Sequence, residues 1–445
     1  MVNWRKPLIF FGLKLFRNSI TKNFEKIHNM ENRREKIENF HKKNLKKLLK
    51  HCHENVPYYT KKLEDVGVIK NSKVNIENFG NIPILKKEDI QSNFNSLKSK
   101  DLATRNTYKN STGGSTGKPL TFIQDGKYDA WNYANKLYHA EIAGKEVGEP
   151  EIKLWGSERD ILGERRSVKK RIRNFLYNRT LLNSFKMSEK DMREYVEKWN
   201  SVKPGHVWAY VDSAYELGKF IEKEDLNIYS PDSIITTAGT LNEKIREFIE
   251  EIFGTVVLNQ YGAREVGDMA VECPEQDGLH IFEHTHHLEV INGKNRQVKG
   301  ETGNIIATNL HNYSMPLLRY KIEDIGIITQ NKCSCSKKFK TLDKIEGRIV
   351  NHFKTKEGDI IHGEYFTHLF YFRPWVRKFK VIQEDFEKIR IEIENWEKPS
   401  EGELKDITKK IKTVLGEDCE VEFNLKETLE PSDSGKFLFT KSKVR

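Results

Sequence analysis

The stretch Asn110-Ser-Thr-Gly-Gly-Ser-Thr-Gly-Lys-Pro119 places three glycines, four hydroxyl side chains and one lysine in ten residues. Glycine lets a backbone approach a ligand closely, and a curl of successive N–H groups makes a nest for an anion. Hydroxyls add donors and Lys118 adds a point charge. The composition therefore suits a polyphosphate, with Ser111, Thr112, Gly113, Gly114, Ser115, Thr116, Gly117 and Lys118 as its cradle. It is not the G-x-x-x-x-G-K-[ST] loop. The Gly113–Gly117 interval is one residue short, and Pro119 stands where that motif has a magnesium-binding hydroxyl.

Working outward, residues 187–258 alternate helix and strand, which implies an α/β layer with parallel strands. Met192, Tyr195, Val196 and Trp199 form one helical stripe. Asn242 is placed to cap a helix whose apolar face is Ile245, Phe248, Ile249 and Ile252. Upstream, Ile37, Phe40, Leu45, Leu48, Leu49 and Cys52 recur at helical spacing, and Pro57 ends that helix. His51 and His53 flank Cys52, but residues two apart on a helix point away from each other, so Cys52 is expected in the core. The last hundred residues read as a small α+β unit. Its strands lie near 376–382, 389–393 and 421–425, and Ser400 with Glu403 caps its helix.

At 445 residues the chain needs more than one core. Its hydrophobic share of 37% and aromatic share of 11% suffice for globular packing. A formal charge of +11 favours anionic partners. No zinc-finger, RRM-like or KH-like signature points to nucleic acid. Five cysteines do not make a secreted disulfide framework, and no cleavable signal is evident, so a cytoplasmic protein is expected. Residues 7–16 are apolar but too short to span a bilayer. Flanked by Arg5, Lys6, Arg17 and Lys22, the 5–22 segment has two readings: peripheral contact with an anionic membrane, or a helix packed on the main body. Residues 165–173 hold six basic residues in nine, a solvated face or a docking patch for an acidic group.

Five segments resemble, in order, the signatures of the adenylate-forming enzymes. They are the 110–119 loop, Asn259-Gln-Tyr-Gly-Ala-Arg-Glu265, Met315-Pro-Leu-Leu-Arg-Tyr-Lys-Ile-Glu-Asp324, Glu346-Gly-Arg348 and Ser434-Gly-Lys436. Leu48-Leu-Lys-His-Cys-His-Glu-Asn-Val-Pro-Tyr-Tyr59 and Ile82-Pro-Ile-Leu-Lys-Lys-Glu-Asp89 resemble the phenylacetate–CoA ligase and capsular-polysaccharide (CapK) branch in particular. The resemblance implies a large α/β adenylation domain, residues 1–346, with parallel sheets, flanking helices and a helical 1–60 segment. A small mobile α+β lid, 347–445, would follow. It implies ATP-dependent conversion of a small carboxylic acid to an acyl-adenylate with release of pyrophosphate, then transfer to a sugar, amine or CoA acceptor. Surface polysaccharide assembly is the implied setting, acyl-CoA synthesis the alternative. A nucleotide-binding scaffold without turnover is the alternative from another class.

By the same resemblance Glu265 holds Mg²⁺, Tyr261 and Gly262 pack on adenine, and Asp324 receives the ribose hydroxyls. Ala238 and Gly239, with Tyr210 nearby, line the nucleotide and acid pocket. Arg348 touches nucleotide or pins the hinge, and Lys436 swings in as the catalytic cation. Two places depart from the family pattern: Arg264 where Thr is common, and Ile322-Glu323 where Thr-Gly is usual. Finally, Cys273, His280, Cys333 and Cys335 form a structural zinc set within residues 273–335, three thiolates and an imidazole with no ligand position left for water. His284 and His286 compete for the fourth place.

Overall fold

The β/α alternation read from residues 187–258 builds one half of a mixed eleven-stranded sheet. In this computed structural model, the described residues are 3–444 except 112–119, 156–167, 185–186, 188, 293–296, 299, 330–332, 347–351, 357–359, 363–365, 367–368, 371–372, 374 and 430–439. Five strands run parallel, in the spatial order Arg179–Asn183, Glu151–Trp155, His206–Tyr210, Ser233–Thr237 and Val256–Ala263. The helices between them bury the predicted stripes. Met192, Val196 and Trp199 are buried on Glu189–Val202, and Ile245, Ile249 and Phe253 on Glu243–Phe253. The Asn242 side chain accepts the Ile245 N–H at 2.9 Å and so caps the second of these helices.

At Val256–Ala263 the sheet changes sense. That strand also pairs antiparallel with Gly267–Glu272. Leu279–Ile281, Thr341–Glu346, Tyr320–Thr329, Gly303–Asn309 and His286–Ile291 follow in space, each antiparallel to its neighbour. The expected parallel sheet is therefore joined to six antiparallel strands, because short turns rather than crossover helices connect the chain beyond residue 263. Several of these strands are buried almost throughout, Gly267–Glu272 and His286–Ile291 among them, so they lack the alternation that marks a half-exposed strand.

The N-terminal helices lie against this half. Arg34–Asn55 buries Leu45, Leu48, Leu49 and Cys52; Val56 is extended, and Pro57 opens the next helix, Pro57–Asp65. The Tyr59 hydroxyl donates to the Pro316 carbonyl at 3.2 Å and accepts the Leu318 N–H at 3.0 Å. Leu85 pairs with the backbone of Arg319 and Lys321. Arg319, buried and at φ +50°, donates to Glu289 at 2.9 Å and to the carbonyls of Gly80 and Ile82. The two N-terminal motifs and the Pro-Leu-Leu-Arg-Tyr segment are thus one buried structure.

The chain separates into two compact units, residues 1–346 and 347–445. In the second, an antiparallel hairpin, Val376–Asp385 with Lys388–Asn395, is flanked by parallel strands Glu420–Lys426 and Thr440–Ser442. The Ser400–Glu403 capping box starts the helix Glu401–Leu415, which buries Ile407, Ile411 and Leu415.

Replacing Arg319 by Met would leave Glu289 buried without its cation. Unfolding in urea is expected to record a loss of about 3–5 kcal/mol. The Arg319→Met/Glu289→Met double variant should recover much of that loss; no recovery would remove the pair from the account of stability.

Candidate functional site

The glycine-rich stretch grows out of a hairpin. Thr107–Ser111 and Thr121–Asp125 pair antiparallel, with Ser111 opposite Thr121. Thr112, Gly113, Gly114, Ser115, Thr116, Gly117 and Lys118 lie outside the described residues. The root of the loop is fixed from below by Gln124, which is buried. Its amide donates to the Arg264 carbonyl at 2.8 Å, and its oxygen accepts the Asn110 amide at 3.1 Å. Arg264 then donates to the Ser111 carbonyl at 3.1 Å. The arginine that departs from the family pattern is therefore a tie to the loop's first residue. Asp125 closes the hairpin by capping the Gly126–Ile142 helix and accepting the Tyr313 N–H at 3.0 Å.

Two further bonds join segments far apart in sequence. Tyr261 donates to Asp324 Oδ2 at 2.9 Å, and Tyr320 donates to Glu265 Oε1 at 3.0 Å. Tyr261 and Tyr320 are buried, whereas Glu265 and Asp324 are partly exposed. The Tyr261 ring belongs to the core cluster with Leu120 and Met269, so its hydroxyl, rather than a free ring face, joins it to Asp324. A Cβ at Gly262 would stand 2.9 Å from the Gly267 carbonyl, which explains a glycine between Tyr261 and Ala263.

Asp324 sits in a bulge, where Ile322, Glu323 and Asp324 intervene between residues paired with Ile306 and Asn304. Glu323 takes φ +70° there, a conformation that favours glycine. The residue type the family uses at this position thus has a backbone reason.

Ala238 and Gly239 follow the Ser233–Thr237 strand at the carboxyl edge of the parallel half, where open α/β sheets hold ligands. Ala238 has φ +62°, and a Cβ at Gly239 would stand 2.8 Å from Val211 Cβ. On the same edge Trp155 and Tyr210 pack with ring centroids 4.4 Å apart. Arg348 and Lys436 lie outside the described residues. The bonding roles of Tyr320 and Gln124 were not legible beforehand. Tyr320 lay inside a quoted motif without an assigned part, and nothing near Gln124 marked it.

The four-residue cysteine and histidine set converges at a separate place. One ligand atom each from Cys273, His280, Cys333 and Cys335 lies within 4.8 Å of the others. Cys273 Sγ is 3.5 Å from Cys333 Sγ, and Cys335 Sγ is 3.3 Å from His280 Nε2. Two sulfurs each about 2.3 Å from one tetrahedral ion would stand about 3.7 Å apart. Cys273, Cys333 and Cys335 lie in loops and His280 on the strand Leu279–Ile281, and Asp277 ties the two loop segments together by accepting both the N–H and the hydroxyl of Ser334. Burial pushes the Cys273 thiol up to about 12 and the His280 imidazole down to about 4. His284 and His286 are engaged elsewhere, His284 with Asn135 at 2.8 Å and His286 with the Val266 carbonyl at 2.8 Å.

Residues 353–443 match the family described as the CapK C-terminal domain. Protein CapK of Staphylococcus aureus is 24% identical over 299 residues, 66% of this chain and 64% of that protein's length. Phenylacetate-coenzyme A ligase of Thermus thermophilus is 24% identical over 332 residues, 71% of each chain. Among solved structures, 2-hydroxyisobutyryl-CoA ligase in the postadenylation state superposes with a TM-score of 0.69 at 17% identity, over 93% of this chain and 89% of that one. No helix among the described residues is long and apolar enough to cross a membrane. By sequence the chain is similar to CapK and to phenylacetate–CoA ligases, its C-terminal residues match the CapK C-terminal domain, and its fold is that of 2-hydroxyisobutyryl-CoA ligase.

Proposed function

We propose that this chain activates a carboxylic acid with ATP, releases pyrophosphate and passes the acyl group from the adenylate to an acceptor. The observation that carries the reading is the pair of bonds Tyr261–Asp324 and Tyr320–Glu265. They hold side by side the two segments assigned to nucleotide and cation, at the root of the glycine-rich loop. In this reading the residues from Ser111 to Lys118 cradle the β- and γ-phosphates. Glu265, oriented by Tyr320, is the carboxylate for Mg²⁺, which would neutralise phosphate charge. Tyr261, Gly262, Ala238, Gly239 and Arg348 border the nucleotide, and Asp324 accepts the ribose hydroxyls. Lys436 supplies the cation that meets charge developing at the α-phosphate.

CoA is the favoured acceptor, because relatives are named phenylacetate-coenzyme A ligases and a solved neighbour holds 2-HIB-AMP and CoA. A sugar or amine acceptor in capsular polysaccharide synthesis is the second reading, favoured by the CapK-type C-terminal domain. Zinc at the Cys273, His280, Cys333 and Cys335 cluster is proposed as structural, since four soft ligands complete a tetrahedron.

ATP–pyrophosphate exchange across a panel of acids, with and without CoA, tests the activity. Exchange is expected with at least one acid, absent in Lys436→Ala and lowered roughly a hundredfold or more in Glu265→Gln. No exchange with any acid would defeat the proposal. Elemental analysis should find zinc in stoichiometric amount, lost in Cys333→Ser with a fall of several degrees in melting temperature; full retention of zinc would assign the metal elsewhere. Glu323→Gly should relieve the bulge by about 0.5–1 kcal/mol and lower KM for ATP by removing a carboxylate beside Asp324. An unchanged KM would place that charge outside the nucleotide's reach.

A further inference from the structure

The first helix, Arg5–Phe16, turns only Ile9 and Leu13 fully inward. Trp4, Leu8, Phe11 and Leu15 recur at i, i+4, i+7 and i+11, one face of a helix, and all are exposed, Phe11 to 66%. Phe16 beside them is 81% exposed. A second exposed pair, Ile172 and Phe175, lies on the helix Val168–Leu176. The two helices adjoin. Arg5 donates to the Phe175 carbonyl at 3.3 Å, and its guanidinium lies 4.6 Å from the Trp4 ring centroid and 5.5 Å from that of Phe175. Their inner sides share one core cluster, in which Leu176 packs with Ile9 and Leu13. Among the described residues, seven of the eleven exposed large hydrophobic side chains fall in this one region, so the patch is concentrated rather than scattered.

The two helices themselves carry charge of one sign, while Glu146 pairs with Lys6 and Asp129 with Arg17 beside them. The first helix holds three basic residues and the second four, and neither holds an acidic one. Lys14 is exposed beside the stripe, and Arg171 and Arg173 beside the second pair. A second copy of the chain meeting this face about a two-fold axis would bring two identical basic rims together, which like charges oppose. An anionic bilayer offers both complements, a negative surface for the rim and an apolar layer for aromatic and leucine side chains.

We propose that the face formed by Trp4, Leu8, Phe11, Leu15 and Phe175 docks this protein onto an anionic membrane surface, lying in the interface without crossing it. Both earlier readings of the N-terminal segment then hold at once, one side of the helix packing on the body and the other meeting lipid.

The test is flotation of the full chain with phosphatidylcholine vesicles, with or without about 30% phosphatidylglycerol. Binding is expected to the anionic vesicles, roughly tenfold weaker to neutral ones or at high salt. Leu8→Glu/Phe11→Glu should lose binding by roughly tenfold or more, with melting temperature unchanged because both side chains already face solvent. Lys14→Glu/Arg171→Glu should lose the preference for anionic lipid while folding normally. Absence of flotation, or undiminished flotation of the Leu8→Glu/Phe11→Glu variant, would overturn the proposal. So would a wild-type dimer in sedimentation velocity that this variant dissolves while neither protein binds vesicles.

Discussion

A buried guanidinium organises the half of the molecule on which the candidate site stands. Arg319 holds Glu289 in the sheet and takes two carbonyls from residues 80–82, so a sheet strand and an N-terminal loop share one charge-assisted cluster. Burial raises the Glu289 carboxyl above its usual range even with that partner, which shows how costly the site would be without it. Tyr320 follows Arg319 directly and Asp324 lies four residues further on. Fixing Arg319 therefore fixes where Tyr320 meets Glu265 and where Asp324 meets Tyr261. The placing of Tyr320 and Asp324 is thus tied to a core ion pair.

This also accounts for motifs that sequence alone presents as separate. The Pro57-Tyr-Tyr59 and Ile82-Pro-Ile-Leu85 segments make structural contacts with the Pro316–Lys321 backbone. Their work is done by a phenol that bridges Pro316 and Leu318 and by a strand-like backbone that pairs beside Tyr320. In this chain the three segments enclose the same few backbone groups.

The parallel half was legible because each strand is followed by a helix with a periodic apolar stripe, as in Met192–Trp199 and Ile245–Ile249. The antiparallel half was not, since strands buried on both sides have no period to detect. Glu265 and Asp324, and at the separate cluster the three cysteines, could be named as candidates from motifs. Supports such as Gln124 and Tyr320 could not, because a hydrogen bond between residues 55 or 140 apart leaves no trace in local spacing. Glu323 is a third kind of case. Its φ of +70° makes sense of the usual glycine only once the bulge is seen.

The change of sense at Val256–Ala263 has a consequence for how such a protein diversifies. To one side of that seam lie Trp155, Tyr210 and Ala238, at the ends of parallel strands. To the other lie Asp324 and Tyr320, held by the ion-paired core. Substitutions that reshape the first group need not disturb the second. If the proposed activity holds, the residues assigned to the nucleotide could then be kept while those near Ala238 change to admit a different organic acid.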